Sequence, residues 1–390
     1  MKKKIKVAHI ITRLIVGGAQ ENTISTVLGL MDNPEYEVTL ITGPGLGPEG
    51  SLEKKARAQG IIPVIINQMR REINPLRDCV VFFQLLRHFI KNKYDIIHTH
   101  SSKAGILGRL AAYVARCPVI IHTIHGLAFH PYEKKWRNVL YIFLEKICAR
   151  LSTRIITVSD TMRDKALAAG VGIKERFVTI YSGMDIDSFI TCGQFRESTR
   201  KKLKIAPDDL VVGKVARLFH LKGHDFVIDC AREIIKKYPS SKFLFVGDGI
   251  LKDELMEKIR SYGLENHFIF TGLVPPDKIP LFISAMDVLV HASLREGLAR
   301  ALPQAMAAGR AVVALDIDSA NEIVIDGKTG FLIAPDNKKS FTEAVIKLLS
   351  DNTLRTKMGS AGRKIVVPQF SINFMVDKIE SLYRELLSCG

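Results

Sequence analysis

Arg217, Lys222 and Glu296 are the residues of this chain whose types and spacing best suit a phosphorylated ligand. In Lys214-Val-Ala-Arg217-Leu-Phe-His-Leu-Lys222-Gly223, a guanidinium and an ammonium follow a short apolar run. Converging on a diphosphate, they would neutralise charge developing on a leaving group; the competing reading is a solvated loop carrying two charges. Glu296-Gly297 follows another apolar run, residues 288–290, and precedes a helix-forming stretch that stops at Gly309. That is a strand, a turn and a helix, and backbone N–H groups at such a turn could hold an anion.

Other candidates are weaker alone. Gly17-Gly18-Ala19 lies between the first apolar run and a helix pattern, where missing side chains let amides approach a phosphate or sugar; it is equally an ordinary tight turn. Gly247-Asp248-Gly249 is a second turn of this kind, able to touch a nucleotide or simply to turn the chain. His125, in Thr123-Ile-His125-Gly126, follows a strand end and could meet a substrate hydroxyl. His98, His100, His122 and His130 cluster with it in sequence, but their spacing is that of strands and no acid accompanies them, so no metal site is expected. Gly45-Leu-Gly47-Pro-Glu-Gly50 matches the dinucleotide fingerprint only formally. It follows a second strand, contains Pro48 and lacks the acid that should end the next strand.

The elements that would position these groups alternate along the chain. Strands are expected at 7–12, 38–41, 61–66, 96–98, 119–123, 155–158 and 178–181, separated by helical patterns, and again at 210–215, 243–246, 268–271, 288–290 and 311–314. Such alternation means parallel sheets covered on both faces. The fold class is therefore α/β, with two doubly wound Rossmann-like domains facing across a cleft. A boundary is placed in Ser182-Gly-Met-Asp-Ile-Asp-Ser-Phe189 and the basic run to Lys204, giving domains 1–188 and 189–369. Residues 370–390 form a helix expected to cross back to the first domain. The stretch 136–150 is amphipathic, and its apolar side is expected to pack on a sheet rather than on lipid.

Of the net charge of +16, residues 1–190 hold most, with 27 Lys and Arg against 16 Asp and Glu. This favours anionic partners without choosing among nucleic acid, lipid and phosphorylated molecules. No nucleic-acid-binding motif promotes the first, so none is expected. No run reaches the roughly 18 apolar residues of a spanning helix. Residues 7–12 are read as a strand, not as the core of a signal, because His9 and Arg13 interrupt it. Six scattered cysteines fit a reducing cytoplasm.

Taken in order, Gly17-Gly18-Ala19, Thr123-Ile-His125-Gly126, Ser159-Asp160, Ser182-Gly183-Met-Asp185, Arg217 with Lys222-Gly223, Gly247-Asp248-Gly249 and the Glu296 stretch resemble the retaining glycosyltransferases of family 4, with the GT-B fold. The resemblance covers essentially the whole chain. It implies sugar transfer from a nucleotide-diphosphate donor, UDP-linked by preference, with the anomeric configuration kept. Arg217 and Lys222 would hold the diphosphate with amides at Gly18 and at Gly297, Leu298 and Ala299. Glu296 would bind donor-sugar hydroxyls, His125 would sit near the reacting centre, and Gly17 and Gly247 would line the donor. No metal or other cofactor is implied, because two cations and helix dipoles replace it. The family has a second Glu eight residues after the first; here it is Gln304, whose amide can still hydrogen-bond ribose hydroxyls, less strongly than a carboxylate.

The expected protein is a cytoplasmic hexosyltransferase. Its acceptor would be a polysaccharide, lipopolysaccharide or lipid-linked glycan, with the basic first domain set against the inner face of an anionic membrane. Two rivals share the architecture, a sugar-nucleotide epimerase and a catalytically silent nucleotide-sugar binder.

Overall fold

The computed structural model describes residues 3–47 and 50–388; the formal fingerprint at Gly45 to Gly50 includes Pro48 and Glu49, and these two, like Cys389, lie outside the described residues. The chain divides into two units, Met1–Met184 with Ser371–Gly390, and Asp185–Phe370. The division falls at Asp185, because this residue caps a helix, Ile186–Ile190, that packs within the second unit. The basic run that follows is not a linker. Its Arg196 and Arg200 reach Asp287 at 2.6 and 3.4 Å and bond carbonyls around residue 285, which satisfies an acid that is otherwise buried.

The first unit holds a seven-stranded parallel sheet. Its strands are β1 (Ile5–Arg13), β2 (Tyr36–Gly43), β3 (Val64–Ile65), β4 (Ile96–His100), β5 (Val119–Ile124), β6 (Arg154–Thr157) and β7 (Phe177–Thr179), in the order β3-β2-β1-β4-β5-β6-β7. The central strands are apolar on both faces because helices cover both. In one core, Val7, Ile96 and Ile121 meet Met375, Ile379 and Leu382 of the C-terminal helix, Ile372–Ser388. In the other, Ala8, Ile10, Ile97 and Ile120 meet the helices Pro75–Asn92 and Ser102–Val114. Register does the rest: His9 pairs with His98, and His100 with Thr123. Paired residues of parallel strands point to one face, so these four share the face that the C-terminal helix covers.

One expectation fails here. The apolar residues of the Lys135–Leu151 helix do not pack on the sheet: Trp136, Val139 and Phe143 are 63, 69 and 59% exposed. The helix is anchored by its other side, where Cys148 and Ala149 are buried and Glu145 pairs at 2.8 Å with the fully buried Arg109.

The second unit has six parallel strands, β8 (Leu210–Val215), β9 (Ser241–Val246), β10 (Phe268–Phe270), β11 (Val288–His291), β12 (Ala311–Leu315) and β13 (Gly330–Ile333), in the order β10-β9-β8-β11-β12-β13. The crossing of order at β8 and β11 places the ends of these two neighbours side by side. The helix expected directly after Gly297 begins later, at Ala301.

Candidate active site

In the second unit the chain leaves β8, passes Arg217 and enters the His224–Lys237 helix through Leu221-Lys222-Gly223. Leu221 and Gly223 both have left-handed φ, 64° and 65°. A Cβ at Gly223 would stand 2.0 Å from the carbonyl oxygen of Ala292, so only glycine lets this turn lie against the segment after β11. The Leu294 amide completes the clasp by donating to the Leu221 carbonyl at 2.8 Å. Its product is an ion pair, Lys222 Nζ to Glu296 Oε1 at 2.6 Å, with each side chain about one-fifth exposed.

The loop carrying Glu296 is held from behind. The Glu296 amide donates to Asp318 Oδ2 at 2.6 Å and the Ala299 amide to Ser319 Oγ at 3.1 Å. These two bonds satisfy amides of the loop that precedes the helix, which begins at Ala301. Gln304 is half-buried on the Ala301–Ala307 helix.

The electrostatics of this cluster follow from burial. Burial raises the Glu296 carboxyl, but the charge of Lys222 and its hydrogen bond outweigh this and leave the group below its ordinary value. His291 Nε2 is 3.8 Å from the same carboxylate oxygen; burial lowers this imidazole to about 3, so it is neutral near pH 7. Beneath them lies Lys214, 1% exposed and, among the described residues, without a hydrogen-bond partner for its ammonium. Burial, then repulsion from Lys222, lowers it to about 7. A second cation is thus stored within the field of the first, half-charged at neutral pH.

Arg217 stacks over Phe219, its guanidinium carbon 4.9 Å from the ring centroid. Gly247 has φ 141°, and a Cβ there would stand 2.2 Å from the carbonyl oxygen of Ala216. This glycine therefore lets the turn after β9 pass against the backbone that leads to Arg217.

In the first unit, Gly17 stands at the N-cap of the Gly18–Met31 helix. His125 lies one residue beyond β5, and its Nε2 meets His100 Nδ1 at 3.0 Å. His98, His100 and His9, the last read in the sequence only as an interruption, are buried and place ring nitrogens within 4.8 Å of one another. His122 points to the opposite face and bonds Thr99 Oγ1 at 2.9 Å.

The structure thus brings Lys222, Glu296 and the loop through Gly297 and Leu298 to Ala299 together in one unit and sets Gly247 beside the backbone of Arg217. Gly17, Gly18 and His125 belong to the other unit. Sequence reasoning missed Lys214, Asp318, Ser319, His9 and Tyr383. For Lys214 the available signal was a lysine inside a strand otherwise apolar; for His9, the same pattern in β1.

Residues 16–188 match the model of Glycosyltransferase Family 4, and residues 195–365 that of Glycosyl transferases group 1. The chain is 30% identical over 393 residues to the UDP-Gal:alpha-D-GlcNAc-diphosphoundecaprenol alpha-1,3-galactosyltransferase of Escherichia coli, covering 98% of both chains. It is 28% identical over 324 residues to the capsular polysaccharide biosynthesis glycosyltransferase CapM of Staphylococcus aureus, covering 82% of this chain and 84% of that one. Among solved structures it is similar to HepE of Anabaena in complex with UDP and glucose, with TM-score 0.84, 23% identity and coverage of 98% of this chain and 100% of that one.

Proposed function

The chain belongs to glycosyltransferase family 4, with the two Rossmann-like units of the GT-B fold, and we propose that it moves a hexose from a UDP-sugar to a lipid-linked or polysaccharide acceptor with retention of configuration. The observation that carries this reading is the Lys222–Glu296 pair, clasped at 2.6 Å by a turn that requires Gly223. An acid held this way is preformed to accept sugar hydroxyls, and its lysine is free to exchange partners when a diphosphate arrives. Arg217 and Lys222 supply the positive charge that a divalent cation would otherwise bring to the leaving diphosphate, so the reaction is proposed to need no metal or other cofactor. Amides at Gly18, Gly297 and Leu298 contribute further donors, whereas that of Ala299, expected among them, is already given to Ser319 Oγ, and Gly17 and Gly247 give the donor close access to backbone. His125 binds the transferred sugar near its anomeric carbon. For retention, the leaving phosphate oxygen takes the proton of the acceptor hydroxyl on the same face of the sugar.

The Escherichia coli relative takes its sugar from UDP-Gal and acts on a diphosphoundecaprenol-linked GlcNAc, which makes UDP-galactose and a lipid-diphosphate acceptor the first pair to try. A lipid acceptor calls for contact with a membrane surface. Among the described residues, no helix is long and apolar enough to cross a membrane. The exposed Trp136, Val139 and Phe143, flanked by Lys135, Arg137, Lys146 and Arg150, have the make-up of a helix that lies in an anionic interface. The site of action proposed is the cytoplasmic face of the membrane.

The test is incubation with a panel of nucleotide sugars and a lipid-diphosphate-GlcNAc acceptor. UDP and a glycosylated lipid with the donor's anomeric configuration, formed in the presence of a chelator, are expected. Conversion of the nucleotide sugar itself without acceptor would point to an epimerase, and binding without turnover to a silent binder.

A further inference from the structure

Six polar groups of the first unit form one unbroken hydrogen-bonded chain. Thr123 Oγ1 meets His98 Nε2 at 2.7 Å, and His98 Nδ1 meets the Tyr383 hydroxyl at 2.6 Å. That hydroxyl meets His9 Nε2 at 3.3 Å, His9 Nδ1 meets His100 Nε2 at 2.9 Å, and His100 Nδ1 meets His125 Nε2 at 3.0 Å. Neighbouring rings stack, with centroids 5.2 Å apart for His9 and His100 and 5.3 Å for His100 and His125. His9, His98, His100 and Tyr383 are 0 or 1% exposed.

We propose that Tyr383, His9, His98 and His100 are positioning residues for His125, and that through them the C-terminal helix fixes both the orientation of that ring and which of its nitrogens carries the proton. The argument is one of counting protons. A neutral imidazole has one N–H and one lone pair, and a hydroxyl has one proton to give. With Thr123 donating, every link runs one way, and His125 accepts at Nε2 and carries its proton on Nδ1. With His125 donating from Nε2, every link is reversed and Nδ1 is bare. Turning one imidazole alone would set two protons, or two lone pairs, against each other across a buried contact. The Tyr383 oxygen can accept from His98 and His9 together, but only with its own proton left unpaired in a buried site, so the state with every proton bonded is one in which all six groups run the same way. The nitrogen of His125 that lies outside the chain is then a donor or an acceptor according to that direction.

Neutrality is secured by burial, which lowers His9 to about 3 and His98 and His100 well below the ordinary imidazole value. The same features argue against a metal at His9, His98 and His100. Every ring nitrogen of the three is spent in a hydrogen bond, and no carboxylate is present in the group to offset an ion's charge.

The inference rests on His125 being a site residue, so its test has an arm that does not use activity. In protein carrying 15N-histidine, the wild type should show slowly exchanging ring N–H protons from His9, His98 and His100 and a single dominant tautomer at His125. Tyr383→Phe removes only the hydroxyl that joins the two halves, and should shift the His125 tautomer ratio. It should also lower kcat about tenfold, as expected for one buried hydrogen bond, with donor KM little changed. Tyr383→Phe added to His125→Ala should cost nothing further. If Tyr383→Phe does not fold, Thr123→Val cuts the chain at its end and should move the same ratio. A His125 tautomer unmoved in either folded variant overturns the inference. So does wild-type protein that holds one equivalent of zinc with those ring protons lost. An unchanged kcat in His125→Ala, beside a His125 tautomer shift in Tyr383→Phe, would instead remove His125 from the catalytic reading and leave the chain standing.

Discussion

Each unit buries a cluster of polar side chains against its central strands, and the two clusters are built on opposite rules. In the first unit, His9, His98, His100 and Tyr383 satisfy one another and carry no charge. In the second, Lys214 has no hydrogen-bond partner among the described residues, Lys222 and Glu296 form an ion pair, and the sum is a positive field of variable size. A fully bonded neutral network specifies geometry, whereas an under-bonded charged one is poised to receive an opposite charge. The first cluster suits holding a ring still, and the second suits taking up a diphosphate.

The contrast has its largest consequence in acid. Four buried imidazoles of the first unit, His9, His98, His100 and His122, have folded pKa values depressed by burial, His9 to about 3. The unfolded chain then binds more protons than the folded one between about 3 and 6.5, so stability is full above 6.5 and is lost as pH falls through that window. His9 alone accounts for up to roughly 5 kcal/mol, a large share of ordinary domain stability. The second unit has two such rings, His224 at about 2 and His291 at about 3. Amide hydrogen exchange between pH 7 and pH 4, corrected for intrinsic rates, should show β1, β4 and β5 losing more protection than β8 and β11. Equal losses would erase the contrast.

The next effect belongs to Lys214 and has its window elsewhere. Its folded pKa of about 7 lies below the unfolded 10.5, so the unfolded state binds the extra proton between those values and wild-type stability rises with pH across them. Lys214→Met should therefore be more stable than wild type at pH 6, by up to roughly 5 kcal/mol, with the gain shrinking as pH rises above 7 and vanishing by about pH 11. In the wild type, UDP binding near pH 7.5 should take up a fraction of a proton, seen as a buffer-dependent calorimetric enthalpy. Lys214→Met should lose that dependence; if the variant keeps it, Lys214 does not answer the diphosphate.

Arg217→Ala should reduce kcat/KM by about 2 kcal/mol, close to thirtyfold, through loss of a charged donor to the diphosphate. Wild-type turnover in this variant would confine the cationic site to the two lysines.

How far the sequence could go depended on the distance over which partners act. Strand and helix alternation was legible because a parallel strand buried on both faces reads as a short apolar run, as in β5 and β12. The pairing of His98 with Tyr383 spans 285 residues, and nothing local announces it. The Gly297 turn was read as a helix start because no local rule reveals that Asp318 and Ser319, some twenty residues on, take its amides. The stripe of Trp136, Leu140, Phe143 and Ile147 reads as apolar, but periodicity cannot say what lies opposite, and here these four side chains are exposed. Lys214 was hidden by the same reasoning that found its strand.

The smallest effect tests the edge of the charged cluster. Gln304 is half-buried, one turn into a helix whose Leu302, Pro303 and Ala305 are fully packed, so its side chain can change without disturbing the core. If it meets the ribose, Gln304→Glu supplies a stronger acceptor, and the field of Lys214 and Lys222 offsets the added charge. UDP affinity should then hold or improve, by up to about 0.7 kcal/mol or threefold, at pH 7.5. The gain should shrink at pH 9, where Lys214 is neutral and the new carboxylate faces the diphosphate with one cation fewer. A tenfold loss at pH 7.5, measured by calorimetry, would place this helix away from the ribose and restrict the cluster's reach to the diphosphate and the sugar.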